Sequence, residues 1–244
     1  MFYGYGILNN HVPTLRASMK GGSSSSTLST SLYAVYKAES NANDSLGTYN
    51  GTAQGGLTYT TGKSGNAFTF NGTNSYVSLP DNQFNFTGDF TISAWVNLTD
   101  FVSSGSIFGN YTYSGGLDYG YQFFFDKPTN SLAIAIHTGA STIVLRTFGL
   151  YTNGVWYHVV VTRKASTGSK IYVNGSLNVS NTSIINPIYT TTHRPSIGVS
   201  KYNSTQFQYF LNGKVDETNI WNKELTATEV TDLYNTGTGK FYPY

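Results

Sequence analysis

From residue 32 onward the chain is divided into short segments of period two, most of them ended by glycine or an Asn-Gly pair. That spacing leaves little room for long helices. Phe90-Thr91-Ile92-Ser93-Ala94-Trp95-Val96 is the clearest case, with Phe90, Ile92, Ala94 and Val96 on one face of an extended chain. Leu132–His137 and Ser141–Leu145 read as a strand pair. Trp156–Arg163 reads as a strand with Tyr157, Val159 and Val161 on one side, and Val215–Trp221 as a final strand after Asn212-Gly213. Lys170–Val173 and Ser176–Val179 flank Asn174-Gly175, a pair that accepts the two positive φ angles of a type I′ hairpin. Phe68–Phe70 and Tyr76–Leu79 flank Asn71-Gly72-Thr73-Asn74 and predict a second hairpin. One helix interrupts the pattern. Thr226-Ala227-Thr228-Glu229 matches a capping box, Val230, Leu233 and Tyr234 follow at helical spacing, and Gly237 stands where a glycine would end a two-turn helix.

Composition agrees with a folded all-β chain. Of 244 residues only 11% are charged while 16% are aromatic, the reverse of what keeps a chain disordered. Arg16 and Lys20 account for the whole excess of 14 basic over 12 acidic residues, so the body is neutral and lacks the clustered cations that bind a phosphate backbone. There are no cysteines, which excludes disulfides and thiolate metal sites. No apolar run reaches the ~18 residues of a membrane span, so no membrane insertion is expected. Residues 1–20 lack the basic start and continuous apolar core of a signal peptide, and synthesis in a cytoplasm without export by the usual route is expected. N-x-S/T triplets recur (Asn43, Asn71, Asn85 and Asn174 among them) and are read as products of composition.

Ahead of the strands stand two different segments. Residues 1–22 carry Phe2, Tyr3, Tyr5, Ile7, Leu8, Val12, Leu15 and Arg16, too scattered for an amphipathic helix and basic without an acid nearby. Residues 23–31 are rich in Ser and Thr and read as a flexible tether. The eight named residues are candidate contacts with a partner protein; the alternative is a frayed terminus.

Thr61-Gly62-Lys63-Ser64-Gly65-Asn66-Ala67-Phe68-Thr69-Phe70-Asn71-Gly72-Thr73-Asn74-Ser75-Tyr76-Val77 resembles the "GKSGxAlxFdGxndYV" signature of LamG-like domains. Phe90–Val96, Trp156–Thr162, Lys170–Gly175 and the tail from Gly213-Lys214-Val215-Asp216-Glu217 to Leu225–Val230 follow in that family's order. The resemblance covers about residues 32–238. It implies an all-β fold, a concanavalin A-like jelly-roll β-sandwich (residues 32–244) with a short C-terminal helix, preceded by an extended N-terminal arm. This sandwich hosts lectins, adhesion modules and glycosidases alike, so fold does not fix function. The tethered apolar arm is similar in architecture to tailed-bacteriophage virion accessory proteins, which dock on capsid or tail through a short N-terminal segment. That likeness implies a head-decoration or fibre protein on the virion surface, made in the host cytoplasm, with other virion proteins as partners and a homo-oligomer as one arrangement.

The candidate chemistry is for binding. A glycosidase needs two carboxylates flanking the scissile bond, about 5–5.5 Å apart for retention. The E-x-D-x-x-E run of the family's glucanase branch is missing. Asp216 and Glu217, being adjacent, are expected on opposite sides of a strand. Glu224 and Glu229 are explained by capping, and His158 reads as a packed or surface residue. No enzyme is expected. Asn41-Ala42-Asn43-Asp44-Ser45-Leu46-Gly47 resembles the family's "gnanDssGng" loop, which implies a structural Ca²⁺ held by Asn43, Asp44, Gly47, Asn50 and Asp216; turn formation explains the same residue types. For carbohydrate, the run Asn110–Tyr121 is expected as one loop in which Tyr111, Tyr113, Asp118, Tyr119 and Tyr121 contact sugar, with Tyr202 beside them. Sealing of the sandwich end or a subunit contact is the competing use of those tyrosines. Three functions follow: a virion adhesion protein, a free or cell-surface carbohydrate-binding module, or a divergent glycoside hydrolase.

Overall fold

The segments of period two form two stacked antiparallel sheets. The computed structural model describes residues 1, 27–100, 103–149, 151–189, 192–203 and 205–244. The docking residues Phe2, Tyr3, Tyr5, Ile7, Leu8, Val12, Leu15 and Arg16 lie outside the described residues. In chain order the strands are β1 (Leu32–Tyr36), β2 (Thr52–Gln54), β3 (Thr58–Thr61), β4 (Asn66–Asn71), β5 (Tyr76–Ser78) and β6 (Phe90–Leu98). There follow β7 (Gly105–Ser114), β8 (Leu117–Asp126), β9 (Ser131–Gly139), β10 (Thr142–Arg146), β11 (Trp156–Lys164) and β12 (Gly168–Val173). The last are β13 (Ser176–Asn181), β14 (Ser196–Ile197), β15 (Ser200–Lys201), β16 (Phe207–Gln208) and β17 (Asn212–Trp221), before helix α1 (Ala227–Tyr234).

An eight-stranded sheet runs β13-β12-β11-β6-β17-β4-β3, with β1 also paired to β17. The facing sheet has seven strands in the order β10-β9-β8-β7-β14-β5-β2. Alternation along each strand decides what lies between them. Phe90, Ile92, Ala94 and Val96 of β6 and Val159 and Val161 of β11 point inward, where they meet Phe108, Tyr121, Phe123 and Phe125 of the other sheet. Val160, between the two inward valines, faces out and joins a second cluster with Leu28, Tyr172, Trp221, Leu225, Val230 and Leu233. Helix α1 supplies two of those side chains and covers this outer face.

The helix follows its sequence signals closely. Thr226 caps it in a complete capping box with Glu229. Asn235, not Gly237, is the left-handed residue that ends it, at φ 46°; asparagine tolerates that conformation through its short polar side chain. Glu224 has a different role from the one expected, pairing with Lys170 at 2.7 Å. Among the described residues no helix is long and apolar enough to cross a membrane.

Three further sequence expectations need correction. Asn71–Asn74 is not a hairpin: β4 belongs to the eight-stranded sheet and β5 to the seven-stranded one, so this turn carries the chain between layers. Asn71 Oδ1 accepts from the backbone N–H groups of Thr73, Asn74 and Ser75, which fixes the crossing. The tether also ends earlier than residue 31. Thr27–Ser29 forms a 3-10 turn, Leu28 is 0% exposed, and Trp221 Nε1 donates to the Leu28 carbonyl at 2.7 Å. Burying one leucine contributes about 2 kcal/mol, so this turn is part of the domain. Finally, Asp216 and Glu217 do not sit on a regularly alternating strand. A bulge between Asp216 and Asn219, with Glu217 at φ 47°, brings the two carboxyl groups within electrostatic reach of each other.

Candidate functional site

The tyrosine-rich run Asn110–Tyr121 forms strands β7 and β8, not a loop, joined through Gly115-Gly116 at φ 59° and 84°. Pairing register then sorts its side chains. Tyr111 lies opposite Gly120 and Tyr113 opposite Asp118, all on the outer face of the seven-stranded sheet. Thr112 opposite Tyr119 and Asn110 opposite Tyr121 share the inward parity. Tyr121 is 0% exposed, stacks on Phe90 at 4.9 Å and donates to the Phe84 carbonyl. It is a core residue, and its candidacy for sugar contact is overturned. Tyr119 leaves the outer-face group by the same parity, its ring lying close over Gly139.

Tyr202 arrives from another part of the chain. Strands β15 and β16 pair as a short hairpin that straps the outer face of the sheet. Tyr113 N–H donates to the Tyr202 carbonyl at 2.8 Å, Ser106 N–H to the Tyr209 carbonyl at 2.8 Å, and Ser200 Oγ to Gln122 Oε1 at 3.0 Å. The rings of Tyr113 and Tyr202 stack at 4.4 Å with 20° between planes, and Tyr111 packs at 6.2 Å from Tyr202. Tyr113, Tyr202 and Asp118 are half-buried, so ring faces and a carboxylate reach solvent together.

Beneath that surface the polar groups are fixed. Tyr111 is 3% exposed and its phenol donates to Asp118 Oδ1. Burial, reinforced by the Asp118 carboxylate, raises the Tyr111 pKa far above that of a free phenol. His137 lies 5.1 Å from the Tyr111 ring, with Nδ1 2.9 Å from Thr142 Oγ1. Burial pushes its pKa down to about 4 although Asp118 acts the other way, so the imidazole is neutral at pH 7. Asp118 Oδ2 carries no hydrogen bond among the described residues and is the acceptor this surface presents. Farther along β8, Phe124 stacks on Tyr209 at 5.6 Å with 6° between planes. Tyr209 sits at φ 58°, a strained position for an aromatic residue. Sequence reasoning missed Tyr209, Phe124 and His137. The period-two pattern could have found Phe124 and His137; nothing local signals Tyr209.

This arrangement suits binding better than bond cleavage. Asp118 and Asp126 share β8 but are eight residues apart, about 27 Å along an extended strand. That far exceeds the 5–9.5 Å range of glycosidase carboxylates, about which the known geometries cluster. Asp126 is in any case bound to Arg146 Nε at 2.7 Å. Asp216 and Glu217 are close together but buried on the other sheet, at 0% and 1% exposed. Burial, with the Glu39 charge adding to it, pushes Asp216 up to about 7 against the backbone N–H groups that bind it, and burial followed by the Asp216 charge pushes Glu217 up to about 8. His158 is packed, with Nε2 2.9 Å from Ser93 Oγ and its ring against Trp95 and Tyr234.

The residues expected to hold Ca²⁺ do not fit the ion. Asp44 Oδ1 accepts from Val35 and Leu46 N–H, and Oδ2 from Thr48 and Tyr49 N–H, which occupies its four lone-pair positions. Asn50 Oδ1 accepts from Asp44 N–H, and Gly47 N–H donates back to the Asp44 carbonyl. Asp216 accepts from Lys63 and Ser64 N–H of a separate turn and from the N–H of its neighbour Glu217. Asn43 N–H is held by Asn41 Oδ1 in a local turn. Among the described residues no group of three or more His, Asp or Glu side chains is placed to hold a metal.

Known proteins share this architecture. Residues 71–231, more than half of the chain, match the family described as the concanavalin A-like lectin/glucanases superfamily. The BEACH domain-containing protein lvsE of Dictyostelium discoideum is 26% identical over 171 residues, which is 68% of this chain; the chain spans only 8% of that relative's length. Domain 4 of AbnA, a GH43 extracellular arabinanase from Geobacillus stearothermophilus solved with arabinotriose, superposes with a TM-score of 0.66 at 23% identity, covering 82% of this chain and 97% of that one. The binding domain of Paraclostridial Mosquitocidal Protein 1 gives 0.65 at 19% identity, covering 85% and 52%. With its two antiparallel sheets and matched blocks, the chain belongs to the concanavalin A-like lectin/glucanase superfamily.

Proposed function

We propose that this is a non-enzymatic glycan-binding domain that holds sugar against the strap on its seven-stranded sheet. One observation carries the reading: the stacked, half-buried Tyr113–Tyr202 pair stands beside Asp118, whose Oδ2 has no hydrogen bond among the described residues. Ring faces suit the C–H face of a sugar, and a carboxylate oxygen accepts from its hydroxyls. The arabinotriose in AbnA domain 4 supports sugar as the ligand class. Binding of neutral oligosaccharides by the whole chain, compared with its Tyr202→Ala variant, tests the reading.

The presentation of the domain forms a finer part of the same proposal. The apolar, basic residues 1–22 and the Ser-rich run after them support attachment to a phage particle, where many copies would turn weak sugar contact into avidity. Deleting residues 1–22 should leave a folded domain that no longer co-sediments with particles; continued co-sedimentation refutes the attachment.

A further inference from the structure

Lys201 is a cation on the strap itself. It precedes Tyr202 on the strap, yet it is only 8% exposed, with Nζ 5.1 Å from the centroid of the Tyr76 ring. Arg146, Lys170, Arg194, Lys223 and Lys240 each face a carboxylate within ion-pair distance; Lys201 has none among the described residues. The acid that acts on it at longer range is Asp81, which already faces Arg194 at 3.8 Å. Two cations therefore share one carboxylate, in a chain whose strands are otherwise neutral overall.

A buried ammonium is unfavourable without a counter-charge. The Tyr76 face offsets part of that through its quadrupole, and Phe207 packs 5.3 Å from Tyr76. Burial lowers the Lys201 pKa, with Asp81 acting against that shift and Arg194 adding to it. Arg194 is about one-third exposed and its contact with Asp81 is long, so its guanidinium can turn to a second anion. Lys201 and Tyr202 are consecutive on the strap, and from it the ammonium reaches Tyr76 of β5 while the Tyr202 ring stacks on Tyr113 of β7.

We propose that Lys201, with Arg194 beside it, forms a subsite for an anionic group on a sugar, a carboxylate or a sulfate, next to the Tyr113–Tyr202 contact. The proposal rests on the glycan reading above and narrows it to acidic glycans.

Isothermal titration of the whole chain tests it with four probes: an oligogalacturonate, its neutral methyl-ester counterpart, a sulfated oligosaccharide and inorganic sulfate. The acidic sugars are expected to bind about tenfold tighter than the neutral one, the size of one charge-assisted hydrogen bond. That preference should shrink between about 20 mM and about 300 mM salt. Lys201→Gln should remove the preference and leave neutral binding intact, while Lys201→Arg should keep it, which guards against a folding defect. Equal affinity for acidic and neutral sugars overturns the subsite but not the glycan reading. So does a preference that survives Lys201→Gln, or inorganic sulfate binding as tightly as the acidic sugars. Failure of every sugar to bind overturns both.

Discussion

The phenol of Tyr111 donates to Asp118 Oδ1 across the β7–β8 pair, tying the only buried tyrosine of the outer-face group to its carboxylate. The bond holds Asp118 Oδ1 and leaves Oδ2 without a hydrogen bond among the described residues. Tyr111→Phe keeps the ring and removes the donor. It should destabilise the fold by about 1–2 kcal/mol, as for a hydrogen bond to a charged group, and weaken sugar binding through a misdirected Asp118. Urea denaturation with parallel sugar titration reads both; unchanged stability and affinity would remove the positioning role.

Glu217 gives a pH signature of opposite sign to an ion-paired carboxylate. Both of its oxygens are buried without a hydrogen-bond partner among the described residues, and its pKa is pushed up to about 8 from 4.5. Between those values the folded chain holds a proton that the unfolded chain has released, so stability falls as pH rises. Thermal unfolding should show a Tm that drops from pH 5 to pH 8 and levels above it. Glu217→Gln should flatten that slope and be more stable than the parent at pH 8. Identical profiles would mean that Glu217 is ionised in the fold.

Leu28 defines where the domain begins. Its side chain is fully buried against the cluster containing Trp221, Val230 and Leu233. Leu28→Ala should cost about 2–3 kcal/mol, the lower part of the range for a buried leucine, because this cluster is small. Truncation before residue 27 should leave Tm unchanged, whereas truncation after residue 31 should lower it. Equal Tm values for the two truncations would return Thr27–Ser31 to the tether.

Asp44 organises its loop through the backbone. Four backbone N–H groups converge on its carboxylate. Asp44→Asn puts an NH₂ against two of those donors and should destabilise by about 2 kcal/mol or more. Chelation should leave the Tm of the parent where it was. A Tm that rises with added Ca²⁺ and falls on chelation would restore the ion.

How much of this was legible depended on which interactions are local. Phe90–Val96 and Trp156–Arg163 announce their buried faces because strand alternation is a property of the residues themselves. Thr226 and Glu229 announce the helix start because both halves of the capping box lie within one turn. Asn71 misled because its side chain makes the same turn whether the next strand pairs beside it or crosses to the other sheet. The tyrosine run misleads because glycine commonly marks loops. Gly120 instead sits within β8, where a Cβ would come within 2.0 Å of the Asn110 carbonyl oxygen. Four site residues, Tyr111, Tyr113, Asp118 and Tyr202, do converge. Tyr119 and Tyr121 do not, since parity along a strand could not be applied to a segment read as loop. Tyr209 was invisible because its strained backbone is imposed by the strap it belongs to.

The most direct test is a two-dimensional NMR titration of the whole chain with arabinotriose and other linear oligosaccharides, repeated on Tyr202→Ala. Shifts are predicted for amides in 111–120 and 200–209, saturating with sugar, and about tenfold weaker in the variant, as expected when one stacked ring is lost. Shifts confined to the helix-covered face, or an unaltered titration in Tyr202→Ala, would contradict the account.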